Sequence, residues 1–406
     1  MQGAPSPHAT FAPPGSLGGI RLPLLRWVII LDEFPLSPFS RPTLYPLVRR
    51  DYPLNMSKME GKSEAYKEAG VDIDLATQLL KNVKGRISAT RTPQVLAPIG
   101  GFGGLYRIDL TKWKKPVMVV SVDGVGTKLM IAAMMQKFDT VGHDIVNHCI
   151  NDIAVQGATP VYFLDYIGIG KMRSPLYEDV LGGCADACKA EGVCLIGGES
   201  AEMPGMYGND FDLVGCITGI VEEDRIITGE KIRPGDVALG ISSKGLQTNG
   251  FSLARKVLFD KGGFNVNDRP AELGGRSVGE ALLEPHECFW KAVKSAIDSD
   301  FPVNGIAHIT GGGLYDNVPR VLPDGTGVRF DARRIENVPP IFRLIEKTGG
   351  IDPYEMYRVF NMGVGMVWFV PADRADEGLS IIRGAGFHGM AIGEVTSGDR
   401  KVEITL

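Results

Sequence analysis

The stretch KPVMVVSVDGVGTK, residues 115 to 128, runs from a valine-rich segment into Asp123, and two glycines and a Thr-Lys pair follow at once. The apolar run is short and β-branched, which reads as a buried strand. The glycines after it let the backbone turn tightly or aim N–H groups at an anion, with Lys128 to neutralise charge and Asp123 to hold Mg2+ through a carboxylate oxygen. The Walker A order GxxxxGK[ST] is absent, because here the lysine follows the threonine. On these residues alone a plain strand-to-helix turn and a phosphate loop stand level.

Outward from this point, strand and helix patterns alternate. VGHDIVNHCINDIAVQGATP (141–160) sets Ile145, Ile150, Ile153 and Ala154 on one side of a helix that ends at Gly157 and Pro160. VYFLDYIGIG (161–170), CLIGG (194–198) and FDLVGCITGIVE (211–222) read as strands, and PLYEDVLGGCADACKAEG (175–192) as a helix closing at Gly192. Upstream, AGVDIDLATQLLKNVKGRI predicts a helix near 74–86 behind Asp caps. Pro234-Gly235-Asp236 marks a boundary. Beyond it come a strand in DVALGISS, helices in FSLARKVLFD and PHECFWKAVKSAI, and a strand in GIAHIT. The class is mixed α/β, divided into a tail at 1–60, a first domain at 64–227 and a second at 228–406.

The tail is dense in proline (FAPPGS, FPLSPFSRPTLYPL) and lacks periodicity, so disorder is expected there. Its apolar patch LPLLRWVIIL (22–31) is broken by Arg26 and has half the ~20 residues of a membrane helix. Asp32, Glu33 and Pro35 follow it in place of a cleavage site, and the expectation is that synthesis begins at Met56 or Met59. A net charge of -5, with scattered Lys and Arg, argues against nucleic acid as a partner. Six cysteines without a CxxC pair, among them Cys149, Cys194 and Cys216 in apolar surroundings, read as reduced core thiols of a cytoplasmic protein.

Candidate chemistry gathers at the strand ends. GGFGG (100–104) is a flexible loop without the dinucleotide fingerprint. Asp144, Asn147 and Asn151 share a helical stripe with Asp152 beside it, and such oxygen groups suit Mg2+ or polar atoms of a substrate. His143 and His148, five apart, miss the i, i+4 spacing of helical metal ligands and are read as structural. FLDY buries Asp165, and GGESAEMPGMY brings Glu199 and Glu202 into a glycine-flanked loop, where they are either paired with a cation, a metal or backbone donors or are solvated acids. KGLQTNGFSL sets Thr248, Asn249 and Gly250 at a helix start, which fits an anion site and an ordinary N-cap equally. AHITGGGLYDN places His308 before three glycines, and EMYRVFNMGVGMVWFV puts Glu355, Arg358 and Asn361 ahead of a strand.

Taken in order, YKEAGVDID, GGFGG, DGVGTK, NDIAVQGA, FLDY, GGESAEMPGMY, HITGGG and EMYRVFNMGVGM closely resemble the phosphoribosylformylglycinamidine cyclo-ligase (AIR synthetase) family of purine biosynthesis, from about residue 64 onward. The resemblance implies a two-domain fold whose N-terminal domain forms a β-barrel shared across a homodimer, with a C-terminal α/β domain. It implies ATP-dependent cyclisation of formylglycinamidine ribonucleotide to 5-aminoimidazole ribonucleotide, through phosphorylation of the formyl oxygen, with ATP and Mg2+ required. Carried residue by residue, it gives Asp123 and Asp152 to Mg2+. Gly124, Gly126, Thr127 and Lys128 go to the nucleotide phosphates, and the loop with Gly101, Gly103 and Gly104 closes over them. Glu199 and Glu202 serve the nucleotide or metal. Lys128, Asn249 and His308 act at the reacting groups, with glycines 311–313 at the ribonucleotide phosphate. Two departures stand out: Gln247 occupies a position where the family commonly shows His, and LLEPHECFWKAV replaces a Thr-Arg-Ile-Tyr-Val-like run. The alternatives are another ATP-using enzyme of the superfamily, of selenophosphate synthetase or thiamine monophosphate kinase type, and a non-catalytic nucleotide-binding protein.

Overall fold

The computed structural model describes residues 64–406. The expected disorder of the 1–60 tail and the expected start at Met56 or Met59 lie outside the described residues.

After a single-turn α1 (Glu64–Glu68), α2 (Ile73–Ser88) starts at Asp72, whose carboxylate accepts the Leu75 N–H at 3.0 Å. Of the apolar set Ile73, Leu79, Leu80, Val83 and Ile87, it turns Leu79, Val83 and Ile87 inward and leaves Ile73 and Leu80 exposed. β1 (Pro116–Gly124) and α3 (Lys128–Met135) flank the DGVG turn, and α4 (Asp139–Ala154), β2 (Thr159–Ile169), α5 (Leu176–Ala190), β3 (Cys194–Glu202) and β4 (Phe211–Glu222) complete the first layer pair. The sheet order is β1-β4-β2-β3, with β2 and β3 parallel and the other neighbours antiparallel. One face is covered by α4, with α5 packed beside it. Gly142 makes this close packing feasible, since a Cβ there would lie 2.3 Å from the Cys184 backbone nitrogen of α5. The opposite face is open at β1, where Met118, Val120 and Val122 are 51%, 59% and 65% exposed.

The second sheet follows the turn at 234–236. Its elements are β5 (Val237–Ser242), α6 (Phe251–Arg255), α7 (Val278–Leu282), α8 (Trp290–Asp298), β6 (Gly305–His308), α9 (Gly313–Asn317), β7 (Thr326–Asp331), α10 (Pro340–Gly349), α11 (Pro353–Val359), β8 (Val364–Val370), α12 (Ala375–Gly384), β9 (Gly389–Ser397) and β10 (Val402–Thr405). The strands run β10-β7-β9-β5-β8-β6, antiparallel except for the β10–β7 pair. β8 is buried along its whole length, which its unbroken apolar sequence VGMVWFV demanded.

Three local expectations change. FSLARKVLFD begins as α6 but continues as a wider π-helical turn over Lys256–Lys261. GGESAE is the end of β3 rather than a loop, with Glu199 opposite Tyr166 and Glu202 opposite Ile169. The helix expected over 285–297 starts at Trp290, because the residues before it are held to α4. All six cysteines are free thiols, four of them buried. Among the described residues no helix is long and apolar enough to cross a membrane.

Candidate active site

The polar stripe of α4 is the spine of the site. Asn147 Nδ2 donates to the His286 carbonyl at 2.7 Å and Asn151 Nδ2 to the Glu287 carbonyl at 2.8 Å. In return the Phe289 N–H donates to Asn151 Oδ1 at 2.8 Å and the His286 N–H to Asp144 Oδ1 at 2.7 Å. Asp144, Asn147 and Asn151, read from sequence as Mg2+ or substrate ligands, therefore hold the 284–289 loop.

Lys128 belongs to the same joint. Its side chain is fully buried, and Nζ donates to Asp144 Oδ1 at 2.8 Å, the Gln247 carbonyl at 3.0 Å and the Glu284 carbonyl at 2.7 Å. An ammonium has three hydrogens, and all of them are taken. This corrects the phosphate and catalytic roles expected of Lys128: here it ties α3 to the second half of the chain. Burial pushes its pKa down, and Asp144 beside it works the other way.

Next to this joint stand Asp123, at the end of β1, and Asp152, two residues from the end of α4. Their side chains are 42% and 26% exposed, and each is gripped from the buried side. His148 Nε2 lies 2.8 Å from Asp123 Oδ2 and 3.6 Å from Asp152 Oδ2. His308 Nδ1 lies 2.8 Å from Asp152 Oδ1, and Ser121 Oγ donates to Asp152 Oδ2 at 3.1 Å. The Gly124 N–H donates to Asp123 Oδ1 at 2.6 Å. Burial opposes ionisation of both carboxyls, but the bonds to His148 and His308 prevail and hold both below their usual value. His148 is the mirror case: burial opposes its charge, yet the two aspartates raise its pKa.

The spacing of His148 from His143 points to a structural role, but the relevant partner is Asp152, four residues on and one turn along the same face. His286 was not singled out at all. Its ring lies 5.1 Å from that of His148 and 5.2 Å from that of His308, centroid to centroid, and the only sequence signal was its place in a segment that departs from the family pattern. His308 is in the cluster as expected. Both its nitrogens have partners, Asp152 at Nδ1 and His286 Nε2 at 3.1 Å.

The remaining expected residues divide. Gly124 and Gly126 form the turn after Asp123, Gly126 at φ +69° with open space beside it, and Thr127 Oγ1 faces Ser252 Oγ at 3.2 Å. Asn249 is half-buried, with Nδ2 on Thr248 Oγ1 at 3.2 Å and Oδ1 close to Gly311. Gly313 has to be glycine, since a Cβ would sit 2.1 Å from the Tyr357 carbonyl. Gly101, Gly103 and Gly104 lie in an exposed loop whose Phe102 is wholly solvent-facing. Glu199 is exposed on β3. Glu202 accepts the backbone N–H groups of Asp72 at 2.7 Å and Met172 at 2.6 Å, which corrects its assignment to a nucleotide or metal: it laces α2 to the sheet. Gln247 is buried at φ +62° and its amide atoms have no partner.

Family models fit these two halves separately. The N-terminal domain of AIR synthase related proteins matches residues 105–221 and their C-terminal domain matches residues 233–405. The chain belongs to the AIR synthase family. A phosphoribosylformylglycinamidine cyclo-ligase of Bifidobacterium animalis subsp. lactis is 45% identical over 333 residues, covering 82% of this chain and 96% of the relative. The enzyme of the same name from Geobacter metallireducens is 46% identical over 354 residues, covering 85% of this chain and 100% of the relative. Among solved structures, thiamine-monophosphate kinase of Stenotrophomonas maltophilia superposes with a TM-score of 0.58 at 16% identity, over 80% of this chain and 95% of that one. E. coli HypE, a hydrogenase maturation protein, gives 0.56 at 18%, over 81% of this chain and 94% of that one. At such identities these two likenesses show the AIR synthase fold and nothing more specific.

Proposed function

We propose that the chain is a cyclo-ligase, converting formylglycinamidine ribonucleotide and ATP into 5-aminoimidazole ribonucleotide, ADP and phosphate. The observation that carries this reading is the pair of half-open carboxylates, Asp123 and Asp152, braced from beneath by His148 and His308 at the mouth of the DGVG turn. Relatives of that name match at 44–46% identity over nearly their full lengths, whereas the kinase-like and maturation proteins share only the fold.

The chemistry needs an amide oxygen turned into a leaving group. Attack of the formyl oxygen on the γ-phosphorus of ATP releases ADP; the substrate's own nitrogen then closes on the activated carbon, and the phosphate departs with that oxygen. Little covalent work falls to the protein, so positioning and charge neutralisation dominate. Asp123 and Asp152 fit Mg2+, a hard cation that prefers oxygen ligands, because both are ionised, partly open to solvent and keep free lone pairs. They would hold the ion, whose role when bound is to offset charge on the transferring phosphates. Gly124, Gly126 and Thr127 would border the phosphates with the 100–104 loop above, while Asn249 and glycines 311–313 would face the ribonucleotide.

A homodimer joined through the first sheet is part of the proposal, supported by the exposed Met118, Val120 and Val122 stripe, an apolar face that soluble monomers seldom leave uncovered. The deciding experiment is ADP release coupled to formylglycinamidine ribonucleotide in the presence of Mg2+. Turnover dependent on that substrate is expected; ATP binding without it would favour a non-catalytic nucleotide binder and refute the reading.

A further inference from the structure

Beneath the two carboxylates, residues from five separate segments of the chain form one unbroken line of hydrogen bonds. From Asp123 it passes to His148 Nε2 at 2.8 Å, and from His148 Nδ1 to Thr248 Oγ1 at 2.7 Å. From Thr248 it passes to His286 Nδ1 at 3.3 Å, from His286 Nε2 to His308 Nε2 at 3.1 Å, and from His308 Nδ1 to Asp152 Oδ1 at 2.8 Å. All three imidazoles and Thr248 are buried.

Counting donors and acceptors constrains the protons. The Thr248 hydroxyl has one hydrogen and two lone pairs, and three nitrogens surround it. Asn249 Nδ2 can only donate, so one of the two histidine nitrogens donates and the other receives the hydroxyl hydrogen. The aspartates only accept, which puts a hydrogen on His148 Nε2 and on His308 Nδ1. Between His286 and His308 a single hydrogen joins two Nε2 atoms. Three arrangements satisfy these counts, with the extra proton on His148, on His286 or on His308, and in the first and the last His286 is a neutral ring that receives a hydrogen bond on one nitrogen and gives one on the other. Burial and the neighbouring His148, His308 and Lys128 push its pKa far below the usual imidazole value, which keeps it neutral.

We propose that His286 is a positioning residue: by bonding Thr248 on one side and His308 on the other, it closes an arc from Asp123 to Asp152 and fixes where the two open carboxylates point. Without it, His308 Nε2 would be buried and unpaired and the Thr248 hydroxyl would lose one of its three partners, so that each would turn to a new arrangement. His308 would swing from Asp152, and Thr248 from His148. The kinetic consequence rests on the ring-closure reading; the arc itself is a property of the folded chain.

The test uses the full chain. In 15N-histidine NMR of the metal-free protein, His286 should carry one hydrogen and be hydrogen-bonded at both nitrogens, with His308 Nε2 as one of its partners; a His286 nitrogen or a His308 Nε2 free of any hydrogen bond would overturn the arc. His286→Phe fills the space but breaks the line, and should shift the His308 Nε2 resonance and lower kcat about 10–100-fold, the range for residues that orient ligating groups, with the KM for ATP little changed. His286→Gln offers an amide N–H to His308 and a carbonyl to Thr248, and should keep kcat within about threefold of wild type. Wild-type kcat in the Phe variant, or a Gln variant as impaired as Phe with both folded, refutes the proposal. If Phe fails to fold, the wild-type spectrum and the Gln variant still decide. Absence of turnover in the wild type would count against ring closure alone, since the spectrum reads the arc independently.

Discussion

Replacing Lys128 with Met separates the two roles that can be given to this lysine. In the structure its ammonium has no solvent contact and donates to Asp144 and to the carbonyls of Gln247 and Glu284. Methionine matches the stem but supplies no hydrogen. Asp144 would then be a buried carboxylate held by one amide, that of His286, with Oδ2 already unpartnered. Removing one member of a buried ion pair costs about 3–5 kcal/mol, and each kcal/mol moves the Tm of a domain of 150–250 residues by about 2–4 °C. Lys128→Met should therefore lower the Tm by on the order of 10 °C in differential scanning calorimetry. Adding Asp144→Asn removes the stranded charge and should recover part of that loss, though the two carbonyls remain without a donor. A Tm within 2 °C or so of wild type, together with a large rise in the KM for ATP, would refute the structural role and return Lys128 to the phosphates.

Three further outcomes follow from single contacts. Asp165, buried on β2, has its pKa raised to about 7 by burial, so the folded state holds a proton that the unfolded chain gives up near the ordinary carboxyl value of 3.8; stability is full below that value and is lost as pH rises to about 7. Asp165→Asn should cancel this, gaining on the order of 4 kcal/mol relative to wild type between pH 4 and pH 7.5, and parallel unfolding curves at the two pH values would sink the assignment. Glu202→Gln can accept only one of the two N–H groups from Asp72 and Met172, and should cost about 1–3 kcal/mol in denaturant unfolding with the KM for ATP unchanged; a nucleotide role predicts the reverse. Val120→Glu sets a charge in the exposed β1 stripe and should yield monomers in light scattering, and an unaltered mass would move the dimer interface elsewhere.

The parts of the fold legible in sequence are those whose signal is local. β1, β2 and β4 are apolar runs between glycines and prolines, and α4 shows its apolar side and its stop. β7, α10, β9 and β10 carry no such local signal: β9, for instance, alternates glycines and a glutamate with apolar residues and is only partly buried. In the site, Asp123 and Asp152 stood out as acids at strand and helix ends, but their companions did not. Asp144, Asn147 and Asn151 look like a ligand set until the 284–289 loop, more than 130 residues on, is seen to occupy them. His286 acquires meaning only through His308 and Thr248, contacts no spacing rule encodes.

The grip of α4 on that loop has a consequence for how the chain can change. Asn147 and Asn151 read the carbonyls of His286 and Glu287, while Asp144 and Asn151 read the amides of His286 and Phe289. Every one of these bonds is to main chain, which almost any residue supplies alike. The path of the loop is thus set by the helix, and its side chains are free to drift without moving the backbone. A sequence can depart from the family pattern there and still deliver the His286 ring to its place beneath the carboxylates.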